Sequence, residues 1–151
     1  MNQQTHTVSA VTKADYASLI ALWEASVRAT HHFLSEAWIA EHKPLILNQY
    51  FDMVALICIR NSQGGIQGFL GTAEGNIEML FVSPDHFRKG VGQALIDYAV
   101  NDIGANAVDV NEENPGARIF YEKVGFQVVG RSELDGQGNP YPILHMKLKT
   151  N

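Results

Sequence analysis

The sequence predicts an α/β fold of the α+β kind, in which a mixed sheet carries helices on both faces and the elements run βααβββαβαββ. Three observations carry that reading. Apolar runs at 54–60, 66–73, 77–82 and 143–148 are bounded by Gly- and Asn-containing turns and have the length of strands. Tyr16, Leu19, Ile20, Trp23 and Val27 recur at the spacing of one helix face. From residue 90 onward, helical and strand patterns alternate before two final strands. The length, 151 residues, is that of one domain, 1–151, able to bury a real core.

The elements follow in order. A strand is expected at 7–11. Thr12-Lys13-Ala14-Asp15 then opens a helix, with a hydroxyl at the cap and a carboxylate three residues on. A second helix runs from Ser35 towards Asn48, with Pro44 placed to bend or divide it. Strands follow at 54–60, 66–73 and 77–82, separated by Asn61-Ser62-Gln63-Gly64-Gly65 and Glu74-Gly75-Asn76. A helix spans 90–103 and a short strand 107–110. Another helix spans 114–124 and stops at Gly125. A closing hairpin of 126–134 and 143–148 turns through Asp135-Gly136-Gln137-Gly138-Asn139.

Composition narrows the function. The net charge of −5 argues against a general nucleic-acid surface and makes the pair Arg88-Lys89 stand out locally. The single cysteine, Cys58, excludes an internal disulfide and a cysteine metal cluster, and its apolar neighbours make it a buried structural thiol. No run is long enough to span a bilayer, and Met1-Asn2-Gln3-Gln4 lacks the apolar core of a leader, so a cytoplasmic protein without a membrane partner is expected.

The most informative segment is Phe81-Val82-Ser83-Pro84-Asp85-His86-Phe87-Arg88-Lys89-Gly90-Val91-Gly92-Gln93-Ala94-Leu95. A strand enters a basic, glycine-containing turn and a helix starts straight after it. That layout gathers free backbone N–H groups and positive charge for an anionic phosphate. The turn lacks the Gly-Lys-Ser/Thr ending of a Walker loop. Leu95 stands where the third glycine of the dinucleotide pattern would be. About two dozen residues on lies Asn114-Pro115-Gly116-Ala117-Arg118-Ile119-Phe120-Tyr121-Glu122-Lys123-Val124-Gly125-Phe126. Together the two segments resemble the GNAT superfamily of acetyl-CoA-dependent N-acetyltransferases. The first resembles its pyrophosphate-binding strand–turn–helix and the second its Asn-x-x-Ala-x-x-Phe-Tyr-x-x-x-Gly-Phe signature. The chain departs from the family's Gln/Arg-x-x-Gly-x-Gly/Ala at its first position, which falls on Phe87. Backbone amides of residues 88–93 are then left with most of the holding.

The resemblance implies a mostly antiparallel sheet and transfer of an acetyl group from acetyl-CoA to a primary amine by direct attack, with no metal. It implies a cofactor site of Leu80, Phe81, Val82, Arg88, Lys89, Gly90, Val91, Gly92, Gln93, Asn114, Ala117 and Phe120. It makes Tyr121 the general acid towards the leaving thiolate and Glu78, directly or through an ordered water, the base. From the residue alone, Tyr121 reads first as an apolar-face aromatic, and Glu78 reads equally as a solvated strand carboxylate. His31, His32, Phe33, Trp38 and Tyr141 are expected at the acceptor wall, His31 and His32 alternatively as a helix-end pair. Adjacent histidines do not share a face, so they form no metal site. The partner implied is a small-molecule amine or a peptide, for a monomer or homodimer. The rival reading is a catalytically silent CoA-binding sensor, and a nucleotide or phosphate binder is a third.

Overall fold

Residues 6–149 are described by the computed structural model; the polar segment 1–4 considered as a leader lies outside them. Seven strands form one sheet in the order β1-β2-β3-β4-β5-β7-β6. They are β1 (Val8–Ala10), β2 (Ala55–Arg60), β3 (Ile66–Ala73), β4 (Asn76–Val82), β5 (Ala107–Asn111), β6 (Phe126–Ser132) and β7 (Ile143–Leu148). Every pairing is antiparallel except β4 with β5, which is parallel. The parallel pair needs a crossover, and the helix between those strands supplies it. The strand expected at 126–134 ends two residues early, at Ser132, because the chain then leaves the sheet for a loop braced on Asp135.

The helices are α1 (Tyr16–Thr30), α2 (Glu36–Leu45), α3 (Val91–Tyr98) and α4 (Pro115–Val124). The Thr12–Asp15 capping box forms, but it opens a short 3-10 turn over Lys13–Asp15 that feeds α1. Ser35 caps α2 by accepting a hydrogen bond from the Trp38 amide at 3.0 Å. Pro44 does not divide the second helix. The chain stays helical and widens to a π-turn over Ile46–Tyr50 immediately after it. The expected helix at 90–103 is likewise α3 followed by a π-turn over Ala99–Ile103.

Two apolar cores sandwich the sheet. One joins α3 and α4 to Leu70, Ile77, Val108, Val110 and Met146; the other joins α1 and α2 to Cys58, Phe69, Met79 and Phe81. Each fully buried Leu or Phe contributes on the order of 2 kcal/mol. The second core stops at β4. Beyond it, Asp109 and Lys147 are exposed on the face opposite Val108 and Met146, so the expectation of helices on both faces holds only for the first half of the sheet.

The feature that positions the site is a defect between the halves. On β4 the pairing steps from Thr72↔Ile77 to Gly71↔Met79, leaving Glu78 as an extra, bulged residue. Pairing with β5 is limited to Asn76↔Ala107 and Ile77↔Val108. From Glu78 onward the two strands diverge, and the ladder edges of β4 and β5 face a gap.

Candidate active site

The gap is a cavity of about 180 Å³ lined by Glu78, Met79, Asp109, Asn111 and Tyr121 among others. It joins two larger spaces. A cleft of about 540 Å³ shares Leu80, Phe81, Asn114, Ala117, Tyr121 and His31 with it. A pocket of about 320 Å³ shares Glu78, Met79, Phe81 and Asn111. A long ligand in the cleft and a second ligand in the pocket would therefore meet between β4 and β5.

The far end of the cleft is the basic turn. Gly90 caps α3 in the left-handed region at φ +85°, and Arg88 is left-handed too, at φ +63°. For a non-glycine residue that conformation costs about 1–2 kcal/mol. The first helical hydrogen bond runs from the Ala94 amide to the Gly90 carbonyl at 3.0 Å, so the amides of Val91, Gly92 and Gln93 have no partner inside the helix. All three residues line the cleft. A Cβ built on Gly92 would lie 3.6 Å from both Val82 and Phe120, so this glycine sits in the throat between β4 and α4. Orphan amides at a helix start, arginine beside them and an apolar channel leading away suit a ligand with an anionic head and a long neutral arm.

Asn114 caps α4, its side-chain oxygen accepting from the Ala117 amide at 3.2 Å. That helix presents Tyr121 to both the cleft and the gap. Tyr121 is 6% exposed and packs edge-on against Phe120 and Phe126. Burial pushes its pKa well above the usual phenol range, so the hydroxyl stays protonated and is a donor throughout the working pH range. Across the seam stands His31, the C-cap of α1. Thr30 donates its hydroxyl proton to the Ser26 carbonyl at 2.8 Å and can then only accept from His31 Nδ1, 2.7 Å away. The neutral His31 ring is thereby left with its lone pair on Nε2. Burial, with His32 adding to it, lowers the pKa of His31 and keeps the ring neutral.

The smaller pocket has aromatic walls from Trp38, Tyr50, Phe81 and Tyr141, with carboxylates of Glu78 and Asp135 at its edge. His42, 5% exposed on α2, donates from Nδ1 to the Trp38 carbonyl at 2.8 Å, and its Nε2 meets the Gln137 side chain. The Gln137 amide also bonds the Tyr50 hydroxyl at 3.1 Å. This clasp fastens the loop between β6 and β7 over the pocket.

Most residues expected at the site converge, with three displacements, Lys89, His32 and Phe33. Lys89 is absent from the cleft wall; its carbonyl instead accepts from His6 Nε2 at 2.8 Å. His32 is exposed and lines none of the three spaces, because the chain turns at His31 and sends the next side chain outward. Phe33 packs on the rings of His31 and Tyr141 behind the wall. Gln93 turns its side-chain amide to Asp97 and keeps its backbone in the cleft. Sequence reading missed Ser26 and Thr30, which the i, i+4 spacing on α1 could have revealed. It also missed His42, Tyr50 and Gln137, for which no local pattern gives a signal.

A sheet splayed beside an orphan-amide helix start, with a tyrosine at the seam, defines an acyl-CoA-dependent acyltransferase. The family is established by comparison. Residues 34–128 match the acetyltransferase (GNAT) domain, and the chain belongs to this family. It is 38% identical over 128 residues to the peptidyl-lysine N-acetyltransferase YjaB of Salmonella typhimurium, covering 85% of this chain and 88% of that one. The solution structure of apo YjaB from Escherichia coli superposes with a TM-score of 0.86 at 32% identity, covering 98% of this chain and all of that one. The PaiA N-acetyltransferase from Thermoplasma acidophilum, solved with coenzyme A, shares the fold with a TM-score of 0.72 at 18% identity, covering 95% and 99%. The chain is thus an N-acetyltransferase whose acetyl donor is acetyl-CoA.

Proposed function

We propose that the acceptor is the ε-amino group of a lysine in a peptide or protein, entering through the aromatic pocket, and that Tyr121 is the general acid. The observation that carries the reading is the continuity of cleft, gap and pocket through the space between β4 and β5, with Tyr121 on one side and Glu78 on the other. The peptidyl-lysine activity named for the YjaB relative agrees with it.

Two proton transfers set what the site must supply. A lysine-type amine has an ordinary pKa of about 10.4, so reaching the neutral form at pH 7 costs about 4–5 kcal/mol. A thiolate leaving group with a pKa near 8.5 gains only about 2 kcal/mol on protonation. Acceptance of the amine proton is the larger task. Glu78 is re-aimed by the bulge to line both the gap and the pocket, where a carboxylate attracts the cationic amine and orders water to take its proton. The free Nε2 lone pair of His31 lies on the cleft side of the same gap. The neutral amine then attacks the thioester carbon, the C–S bond breaks, Tyr121 gives its proton to the sulfur, and the proton shed by the attacking nitrogen as it becomes an amide returns to the phenolate through water. On this reading the β4 amides beyond the bulge pair with the donor's arm in the manner of an added strand.

The test is release of CoA thiol from acetyl-CoA with a panel of lysine peptides and small amines, read beside acetyl-CoA binding. Thiol release with peptides, strongly slowed by Tyr121→Phe, is the expected result. Tight acetyl-CoA binding without release to any amine would instead identify a sensor. A preference for free polyamines or amino acids over peptides would move the acceptor class.

A further inference from the structure

The turn that opens α3 is exposed and strained. Arg88, Lys89 and Gly90 all face solvent, and Arg88 and Gly90 are both left-handed. Backbone in such sparsely populated conformations persists where surrounding contacts fix it. Among the described residues, one side chain bonds the main chain of 87–90. It is His6, whose Nε2 lies 2.8 Å from the Lys89 carbonyl oxygen. A carbonyl only accepts, so Nε2 carries the hydrogen, in the neutral ring or in the imidazolium. The same nitrogen would lie 3.5 Å from a Cβ built on Gly90, so the ring also borders the open side of that glycine.

The contact is built from the opposite end of the chain. His6 stands two residues before Val8, which pairs with Ile59 of β2. Val8 also packs on the core that contains Val91 and Leu95 of α3. β1 is thereby anchored beside α3, and the anchor carries the imidazole to a turn 83 positions away. Direction follows from the peptide unit. The Lys89–Gly90 peptide is trans, so its C=O and N–H point to opposite sides. His6 lines none of the three spaces, whereas Gly90 lines the cleft. Holding the Lys89 carbonyl on the His6 side turns the Gly90 amide towards the cleft, beside the orphan amides of Val91, Gly92 and Gln93.

We infer that His6 is a positioning residue for the acetyl donor: it pins the Lys89–Gly90 peptide so that its amide joins those of Val91, Gly92 and Gln93 in holding the donor's pyrophosphate. This rests on the reading of the basic turn as the seat of that pyrophosphate. His6 need not touch the donor or the acceptor. A turn fixed beforehand spares the donor the cost of ordering it, so the contact is read out as affinity. The edge strand β1 then belongs to the donor site without lining it.

The experiment titrates the full chain with CoA, by calorimetry, and with pantetheine, by NMR. Pantetheine keeps the arm and lacks the pyrophosphate. The wild type should bind CoA far more tightly than pantetheine. His6→Ala should weaken CoA about 5-fold, the equivalent of one neutral hydrogen bond at ~1 kcal/mol, and pantetheine less than about two-fold. His6→Gln should bind CoA within about two-fold of the wild type, because its Nε2 lies as many bonds from Cα as the histidine Nε2 and also carries hydrogen. His6→Asn, whose amide falls one bond short, should match His6→Ala. The Gln and Asn variants decide the matter even if His6→Ala fails to fold. Equal weakening of both ligands, no weakening of CoA, or a His6→Asn protein that binds CoA as well as His6→Gln would overturn the brace. If the wild type binds CoA no better than pantetheine, the pyrophosphate reading itself falls and takes the brace with it.

Discussion

The donor cleft and the acceptor pocket are built from different materials. The cleft is made of backbone: orphan amides at the start of α3, the exposed edge of β4 and a glycine in the throat, with an apolar lining. The pocket is made of side chains drawn from α1, α2, the β4 bulge and the β6–β7 loop, fastened by the His42–Gln137–Tyr50 clasp. A backbone site tolerates side-chain exchange and fails when the chain's conformation is disturbed. A side-chain site fails residue by residue. On the proposed reading, a backbone site would accommodate Phe87 at the position where the family has a polar residue.

The sharpest test lies at the seam. Tyr121→Phe removes one oxygen from a residue that the cleft and the gap share and leaves the apolar packing with Phe120 and Phe126 in place. Turnover should fall roughly 100-fold, the low end of the range for general acid catalysis, because protonating a thiolate is the smaller of the two proton tasks. Acetyl-CoA affinity, measured by calorimetry, should be unchanged. A variant that turns over at the wild-type rate would remove Tyr121 from the chemistry.

Next in size is a ranking inside the cleft. Gly90→Val forces a β-branched residue into the left-handed region, at about 1–2 kcal/mol or more, and distorts the turn that aims the amides. Acetyl-CoA should bind roughly 5- to 30-fold more weakly on that energy scale. Arg88→Ala removes an exposed charge and should cost less than about five-fold, since exposed ion pairs contribute at most about 1 kcal/mol. Gly92→Ala should be mild, because its Cβ would make ordinary contacts at 3.6 Å, whereas Gly92→Leu would fill the throat. If Arg88→Ala proved worse than Gly90→Val, the cleft would be a side-chain site after all.

A smaller effect is expected at the clasp. Gln137→Ala removes two hydrogen bonds from the pocket loop without opening the core. Neutral hydrogen bonds contribute about 1 kcal/mol each, so the acceptor's KM should rise roughly 3- to 30-fold while acetyl-CoA affinity stays constant. A change in acetyl-CoA affinity of similar size would show that cleft and pocket are not separable.

The contrast also decides what could be read from the chain beforehand. The cleft was legible because its parts are contiguous: a strand, turn and helix start within residues 81–95, and one helix signature within 114–126. The strands were legible from their apolar runs, and the sheet's uncovered half was not, because Asp109 and Lys147 show their exposure only once β5 and β7 are paired. Glu78 could be placed on its strand, but its aim comes from a bulge set by the register of the neighbouring strand. The His42–Gln137 clasp joins residues 95 positions apart, and Asp109 meets His145 across 36. Such contacts follow from topology, and no local spacing encodes them.

The smallest effect concerns His31, a residue common to the cleft and the gap, and it tests whether the seam is held by buried neutral groups. Burial lowers the His31 pKa below its ordinary value of about 6.5, so over that interval the unfolded chain binds more protons than the folded one. The stability this neutral ring contributes is therefore present above about pH 6.5 and lost as pH falls towards the lower folded value. The carboxylates Asp15, Glu24 and Glu112, whose pKa values are lowered by their arginine and lysine partners, lose their contributions only near and below about pH 4. The two windows separate. Urea unfolding of the wild type should show stability declining between pH 7 and 5.5, and His31→Asn, which keeps a polar group beside Thr30, should show a shallower decline. An identical slope in both proteins would mean that His31 is as free to take a proton in the fold as outside it. The seam would then be open to water, and the distinction between its two sides would lose its basis in burial.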